Sequence, residues 1–170
     1  IKCFLSLKGG IISENLKSSA LRLQEPLQGH GLTCEVVQMQ DTTRSAEDAA
    51  RAVGCEVGQI VKSLIFEGQQ SHQPILVAAS GANRVNEKAI KKSVAEPVKM
   101  ANPEFVRRMT GFAIGGVPPI GHENPLKIFI DEDLLRYDEI WAAAGTPHAV
   151  FRLTPDDLIK ITSGTVISVK

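Results

Sequence analysis

With 170 residues, 43% of them hydrophobic and 22% charged, the chain is long enough to bury its own core without metal or disulfide support. Its 19 basic and 19 acidic side chains cancel, which argues against an extended DNA groove but leaves room for contact with a nucleic-acid end through a few local cations. No apolar run approaches the roughly 20 residues of a membrane span, and Cys3, Cys34 and Cys55 are too few and too scattered for a zinc cluster or a disulfide scaffold. Sparse, odd cysteines fit a reducing compartment, so the cytoplasm is the expected location.

The chain opens Ile1-Lys2-Cys3-Phe4 without an initiator Met and without the long apolar core of a signal peptide. Residues 1–14 read as an N-terminal extension, truncated or added, and 15–170 as one domain. From Ser13, the spacing of Leu16, Ala20, Leu23 and Leu27 predicts a helix ending near Gly29 and Gly31, with Pro26 kinking or splitting its last turn. Thr33 to Met39 alternates as a strand does. Ser45-Ala46-Glu47-Asp48 resembles a capping box and starts a helix that buries Ala46, Ala49, Ala50 and Val53 and stops at Gly54.

Gly58 to Phe66 is an apolar, β-branched strand with one lysine inside it. Alternation puts Ile60, Lys62, Leu64 and Phe66 on one side, and Val61, Ser63 and Ile65 on the other. Lys62 is then either an edge-strand lysine that snorkels to water and blocks aggregation, or an ammonium that meets a polar or anionic group in an apolar setting. A polar turn leads to a second buried strand, Pro74 to Ala79, which Ser80-Gly81-Ala82-Asn83 breaks. Two short helices follow, Asn86 to Ala95 and Pro103 to Met109, the latter with Asn102 as N-cap. Beyond a glycine- and proline-rich loop, Gly111 to Pro125, come strands at Lys127–Ile130, Glu139–Ala143 and Ala149–Arg152. A helix capped at Thr154 and a final strand, Thr165–Val169, close the chain.

The later strands are joined by turns too short for parallel crossovers, which excludes a purely parallel sheet. The expected fold is mixed α/β (α+β): a curved, largely antiparallel, barrel-like sheet with peripheral helices.

The loop Gly115-Gly116-Val117-Pro118-Pro119-Ile120-Gly121-His122 combines glycines, which let backbone approach a ligand, with prolines that stiffen it. It can aim backbone N–H groups at a developing oxyanion, or it can simply be a tight turn between strands. It is not a phosphate-binding P-loop, because no Gly-Lys-Ser/Thr follows. His122 is the one histidine near other candidate residues, whereas His30 and His72 read as solvent-facing and His148 precedes a strand. No motif for a serine or cysteine nucleophile or for a metal site is present. Asp131-Glu132-Asp133 reads first as a cap or a solvated turn.

In order and spacing, Ser45 to Ala50, Ile60 to Phe66, Ser80 to Asn83, Gly115 to Gly121, Asp131, Ala143-Ala144-Gly145 and the terminal strand resemble the YbaK/ProX family, which also occurs as the editing insertion of bacterial prolyl-tRNA synthetases. The likeness spans about residues 15–170. It implies a trans-acting aminoacyl-tRNA deacylase with no cofactor and no metal. Such an enzyme hydrolyses the ester of a mischarged tRNA that carries Ala, Cys or another small amino acid, on tRNA-Pro or a related tRNA. Lys62 matches the family's functional lysine, and Gly115 to Pro119 match its G-x-x-x-P loop. The resemblance thus implies catalytic roles for Lys62, Gly115 and Gly116. It implies substrate contacts for Ser63, Asn83, Val117, Pro118, Pro119, Gly121, His122 and Asp131.

The expected partners are the tRNA acceptor end and an aminoacyl-tRNA synthetase, with no membrane. Water or the substrate's ribose hydroxyl would supply the chemistry for which no nucleophile is visible, and the cognate amino acid would be excluded by size. Two rivals stand beside this reading: a non-catalytic tRNA- or synthetase-binding module, and an esterase for small molecules, which lacks an activated nucleophile.

Overall fold

The computed structural model of the chain describes residues 4–7, 14–32, 35–39 and 45–170. The expected helix start at Ser13 and strand start at Thr33 lie outside these residues, as do Cys3 and Cys34. The helices are α1 (Glu14–Gly29), α2 (Ala46–Val53), α3 (Glu87–Val94), α4 (Pro103–Thr110) and α5 (Pro155–Thr162). The strands are β1 (Phe4–Leu7), β2 (Glu35–Gln38), β3 (Ile60–Gly68), β4 (Pro74–Ser80), β5 (Val98–Met100), β6 (Lys127–Asp131), β7 (Ile140–Ala143), β8 (Ala149–Leu153) and β9 (Thr165–Ile167).

Local chemistry sets the helix ends. Ser45 accepts from the Asp48 N–H at 3.1 Å and Asn102 from the Phe105 N–H at 2.8 Å. Thr154 and Asp157 form a reciprocal box at α5, satisfying N–H groups that the first turn leaves without partners. Gly54 ends α2 at φ 77°, a left-handed geometry that glycine adopts without a Cβ penalty. α1 runs through Pro26 to Gly29 without splitting. The proline forfeits one N–H bond, the one to the Arg22 carbonyl, and the helix continues only to Gly29.

The sheet is mixed and mostly antiparallel, as expected, but differs from the expected one in closure. Its strands follow an open path, β1-β2-β8-β7-β3-β4-β6-β9, with β5 attached to β3, so it does not close into a barrel. Among the described residues the antiparallel ladders, led by that of β3 and β4, hold more residue pairs than the parallel ones. The helices and long loops between strands supply the parallel crossovers that the short late turns hid. Phe4–Leu7, expected in an extension, lies parallel to β2 as β1, and Val98–Met100 pairs with the end of β3 as β5.

β3 and β4 are the centre, joined by a seven-pair antiparallel ladder. Val61, Ile65, Leu76 and Ala78 enter the largest core cluster, with Leu23, Phe105 and Phe151. Phe66, Ile75, Val77 and Ala79 face the opposite side, against Ile90, Val98 and Phe129. Burial on both faces explains why these strands read as near-continuous apolar runs. Each large side chain so buried contributes about 1.5–3 kcal/mol.

One interruption matters for the site. β7 pairs with β3 only at Ile60 and Val61, and β5 joins the same edge only from Phe66 to Gly68. Between them, Lys62, Ser63 and Leu64 have, among the described residues, a strand neighbour on the β4 side alone. The Ile65 carbonyl points to the open side, where it accepts from the Ala101 N–H at 2.9 Å. Strand alternation therefore turns the Ser63 N–H and C=O toward the same opening.

Candidate active site

A cavity of about 290 Å³ fills the gap where β7 leaves β3. Lys62, Ser63 and Leu64 form one wall, Ala46 and Ala49 of α2 another, and Trp141 and Ala143 of β7 a third. Ile114, Gly115 and Val117 of the glycine loop, with Pro147, complete it. The small side chains on α2 and β7 keep the space open, and Lys62 is the one charged residue in the lining among the described residues.

Lys62 is thus neither a plain edge lysine nor a fully buried one. Its Nζ donates to the Asn83 backbone carbonyl at 2.6 Å. The Asn83 side chain in turn donates to Asp131 Oδ2 at 2.8 Å and to Asp133 Oδ2 at 2.7 Å. Asp131 is fully buried, and it also accepts the Ser80 N–H at 3.0 Å and the Asp133 N–H at 3.0 Å. The Asp131 cluster therefore is a cap, as its sequence indicated, and in addition the anchor of the carbonyl that holds Lys62. Lys170 and Arg136 neutralise Asp133 at 2.7 and 2.8 Å, and the Lys170 hydrogen bond, then that of Asn83, lowers the Asp133 pKa. Burial pushes the Lys62 pKa below the ordinary lysine value, while Glu47 and Asp131 pull it back up.

The loop places its residues differently from one another. Gly115 (φ 87°) lines the cavity. Gly116 lies so close to the turn after β7 that a Cβ would stand 2.8 Å from the Thr146 Cα. Val117 touches the cavity and also enters the main core. Pro118 and Pro119 are buried and are not part of the cavity lining. His122 faces away from Lys62: its Nε2–H donates to the Pro118 carbonyl at 2.6 Å and its ring meets Phe112 edge-on at 6.4 Å. Burial lowers the His122 pKa, with the Pro118 carbonyl opposing and Arg22 assisting. A neutral Nε2–H imidazole braces the loop from behind. Gly121 turns the chain there at φ 86°.

Of the residues singled out from sequence, the structure brings Lys62, Ser63, Gly115 and Val117 to one cavity and sets Gly116 beside it. Asn83 and Asp131 stand behind Lys62, and Pro118, Pro119, Gly121 and His122 form the back of the loop. Sequence reasoning missed the α2 wall, Trp141 and Pro147. The segments that carried the resemblance, Ser45 to Ala50 and Ala143-Ala144-Gly145, touch these walls, but neither was singled out as part of a site. Among the described residues no cluster of His, Cys, Asp and Glu is arranged to hold a metal ion, and no helix is long and apolar enough to cross a membrane.

Residues 40–161 match the family model described as the aminoacyl-tRNA editing domain. A solved structure described as a candidate trans-editing enzyme for prolyl-tRNA synthetase is similar at 47% identity and a TM-score of 0.85, covering 94% of this chain and 99% of that one. YwhH of Bacillus subtilis is 29% identical over 132 residues, which is 78% of this chain and 83% of that protein. EbsC of Enterococcus faecalis, named as a candidate Cys-tRNA(Pro)/Cys-tRNA(Cys) deacylase, is 26% identical over 148 residues, 87% of this chain and 90% of that protein.

Proposed function

The chain belongs to the aminoacyl-tRNA editing domain family, and from that premise we propose that residues 15–170 form a single-domain deacylase acting in trans on a mischarged tRNA. Its substrate is the ester joining a small amino acid, alanine or cysteine foremost, to the 3′ end of tRNA-Pro or a related tRNA. Its partners are that acceptor end and the synthetase that charges it, in the cytoplasm. The observation that carries this reading is the Lys62 ammonium, held at 2.6 Å by the Asn83 carbonyl at a cavity that the loop residues Ile114, Gly115 and Val117 also line.

In the reaction, a water oxygen bonds to the ester carbonyl carbon and the bond from that carbon to the ribose oxygen breaks. The ribose oxygen leaves with a proton, and the amino acid departs as its carboxylate, releasing a proton to solvent. Lys62 anchors an oxygen of the 3′-terminal aminoacyl nucleotide, and backbone at Gly115 and Gly116 supports the carbonyl as it gains negative charge. The cavity's modest volume and its Trp141 wall favour small side chains. One methylene alters selection by only about 1–3 kcal/mol, so exclusion by shape is the means available.

The test is deacylation by Lys62→Ala on tRNA-Pro charged with alanine, cysteine, serine or threonine. The expected result is a folded protein, by circular dichroism, whose rate on the preferred substrate falls about 10²–10³-fold, the scale of losing one electrostatic contact to the transition state. A wild-type rate in the variant would sink the lysine assignment. A binding module would protect the ester stoichiometrically instead of turning it over, and a general esterase would cleave simple amino-acid esters without tRNA.

A further inference from the structure

Beyond Pro147, which belongs to the walls of both, a second cavity of about 510 Å³ opens next to the lysine cavity. Its lining includes Arg22 of α1, Arg107 of α4, Phe112, Thr146 and His148, and no carboxylate among the described residues. In a chain whose 19 cations and 19 anions cancel, two guanidiniums on that lining are a local concentration of positive charge. The Arg22 Cζ lies 4.1 Å from the Phe112 ring centroid, and its Nη1 donates to the Gly111 carbonyl at 3.3 Å. Its remaining contact is a long one, 3.7 Å to Glu123. Arg107 is exposed in the last turn of α4 and has no ion pair among the described residues.

We propose that this second cavity seats the penultimate nucleotide of the tRNA 3′ end, with Arg107 and Arg22 facing the two phosphodiesters that flank it and the Arg22 guanidinium, backed by Phe112, offering a plane for its base. The inference rests on the deacylase reading for its direction, since an aminoacyl nucleotide in the lysine cavity must trail its phosphodiester chain into a neighbouring space. The shared Pro147 wall makes this cavity that neighbour. Its chemistry suits the ligand: guanidiniums pair with phosphate oxygens, and unstacked bases settle on guanidinium and aromatic planes. The glycine loop then separates two tasks, with the reacting ester on one side and strand tracking on the other.

The experiment compares wild type with Arg107→Gln, a change at an exposed helix position, in two measurements. The first is binding of the unacylated CCA trinucleotide, followed by calorimetry at fixed salt. The second is the ratio of kcat/KM on aminoacyl-CCA to that on aminoacyl-adenosine, which has no phosphodiester. Arg107→Gln is expected to weaken CCA binding about five- to tenfold and to shrink the ratio by a similar factor through KM, as loss of a phosphate contact does. The proposal falls if wild type binds CCA no more tightly than adenosine, or if the variant leaves both measurements unchanged. It falls equally if inorganic phosphate at the same concentration displaces CCA, which would make this a free-anion site. Should no ester be hydrolysed at all, the deacylase reading fails, and CCA binding still decides the nucleotide site.

Discussion

Lys62 carries three N–H donors, and one is taken by the Asn83 carbonyl at 2.6 Å. The other two are available to an oxygen in the cavity. The carbonyl itself cannot drift, because the Asn83 amide is tied to two carboxylates. That arrangement fixes the ammonium without neutralising it, as a direct ion pair would. Burial lowers its pKa and the more distant Glu47 and Asp131 only partly offset that. The sign follows: a lysine with a depressed pKa loses its charge at a lower pH than its neighbours, so the contact it makes fades as pH rises through that midpoint. Side-chain NMR of the labelled protein should show Lys62 titrating below the ordinary lysine value of about 10.4, and a midpoint at or above that of the surface lysines would remove burial as the controlling influence. The lysine itself was legible in the sequence, as a charge among β-branched residues. Its support was not, since Asn83 and Asp131 lie far along the chain from it and only the fold brings the three together.

The elements that sequence reading located best are those whose ends are decided locally. Ser45, Asn102 and Thr154 each satisfy N–H groups within three residues, and no distant partner is needed to see that. Pairing is a different matter. Nothing within Ile140–Ala143 says that it meets β3 at two residues and then diverges, yet that divergence makes the cavity, and β5 went unseen because a three-residue strand holding Lys99 has too little alternation to register. The glycine loop lies between these cases. Its composition announced backbone exposure, but which glycine is sterically required depends on the turn it packs against. At Gly115 a Cβ would make only ordinary van der Waals contact with the Pro147 ring at 3.9 Å, although its φ of 87° disfavours one, whereas at Gly116 the Cβ would meet Thr146 backbone within 3.0 Å. Gly116→Ala must therefore push the loop off the turn that ends at Pro147 and His148, at a cost of about 1–3 kcal/mol as for other overpacked sites. Thermal unfolding and deacylation assays should show a lower Tm together with a reduced rate; unchanged values of both would mean that the loop can give way freely at this point.

At the scale of the whole molecule, balanced charge and an open sheet define how a nucleic acid can be engaged. Zero net charge argues against a broad basic face that holds a tRNA body, and among the described residues the cations lining the two cavities are few: Lys62 in one, Arg22 and Arg107 in the next. Binding through so few phosphates has a measurable signature, because each neutralised phosphate of a single strand contributes about −0.7 to the slope of log K against log salt. Two arginines on the 3′ end thus predict a slope of about −1.4 for the CCA trinucleotide. Intact tRNA should be only slightly steeper, near −2 to −3 by the same rule, if the acceptor end is all that the protein grips. Titrations across a salt series, with wild type and Arg107→Gln side by side, measure this directly, and the variant should lose about 0.7 of the slope on either ligand. A slope on intact tRNA of about −6 or steeper would mean contact along the acceptor stem, and would require a positively charged surface that the neutral composition argues against. A shallow slope would instead leave recognition of the tRNA body to the synthetase partner, with this protein reading only the end of the strand and what is attached to it.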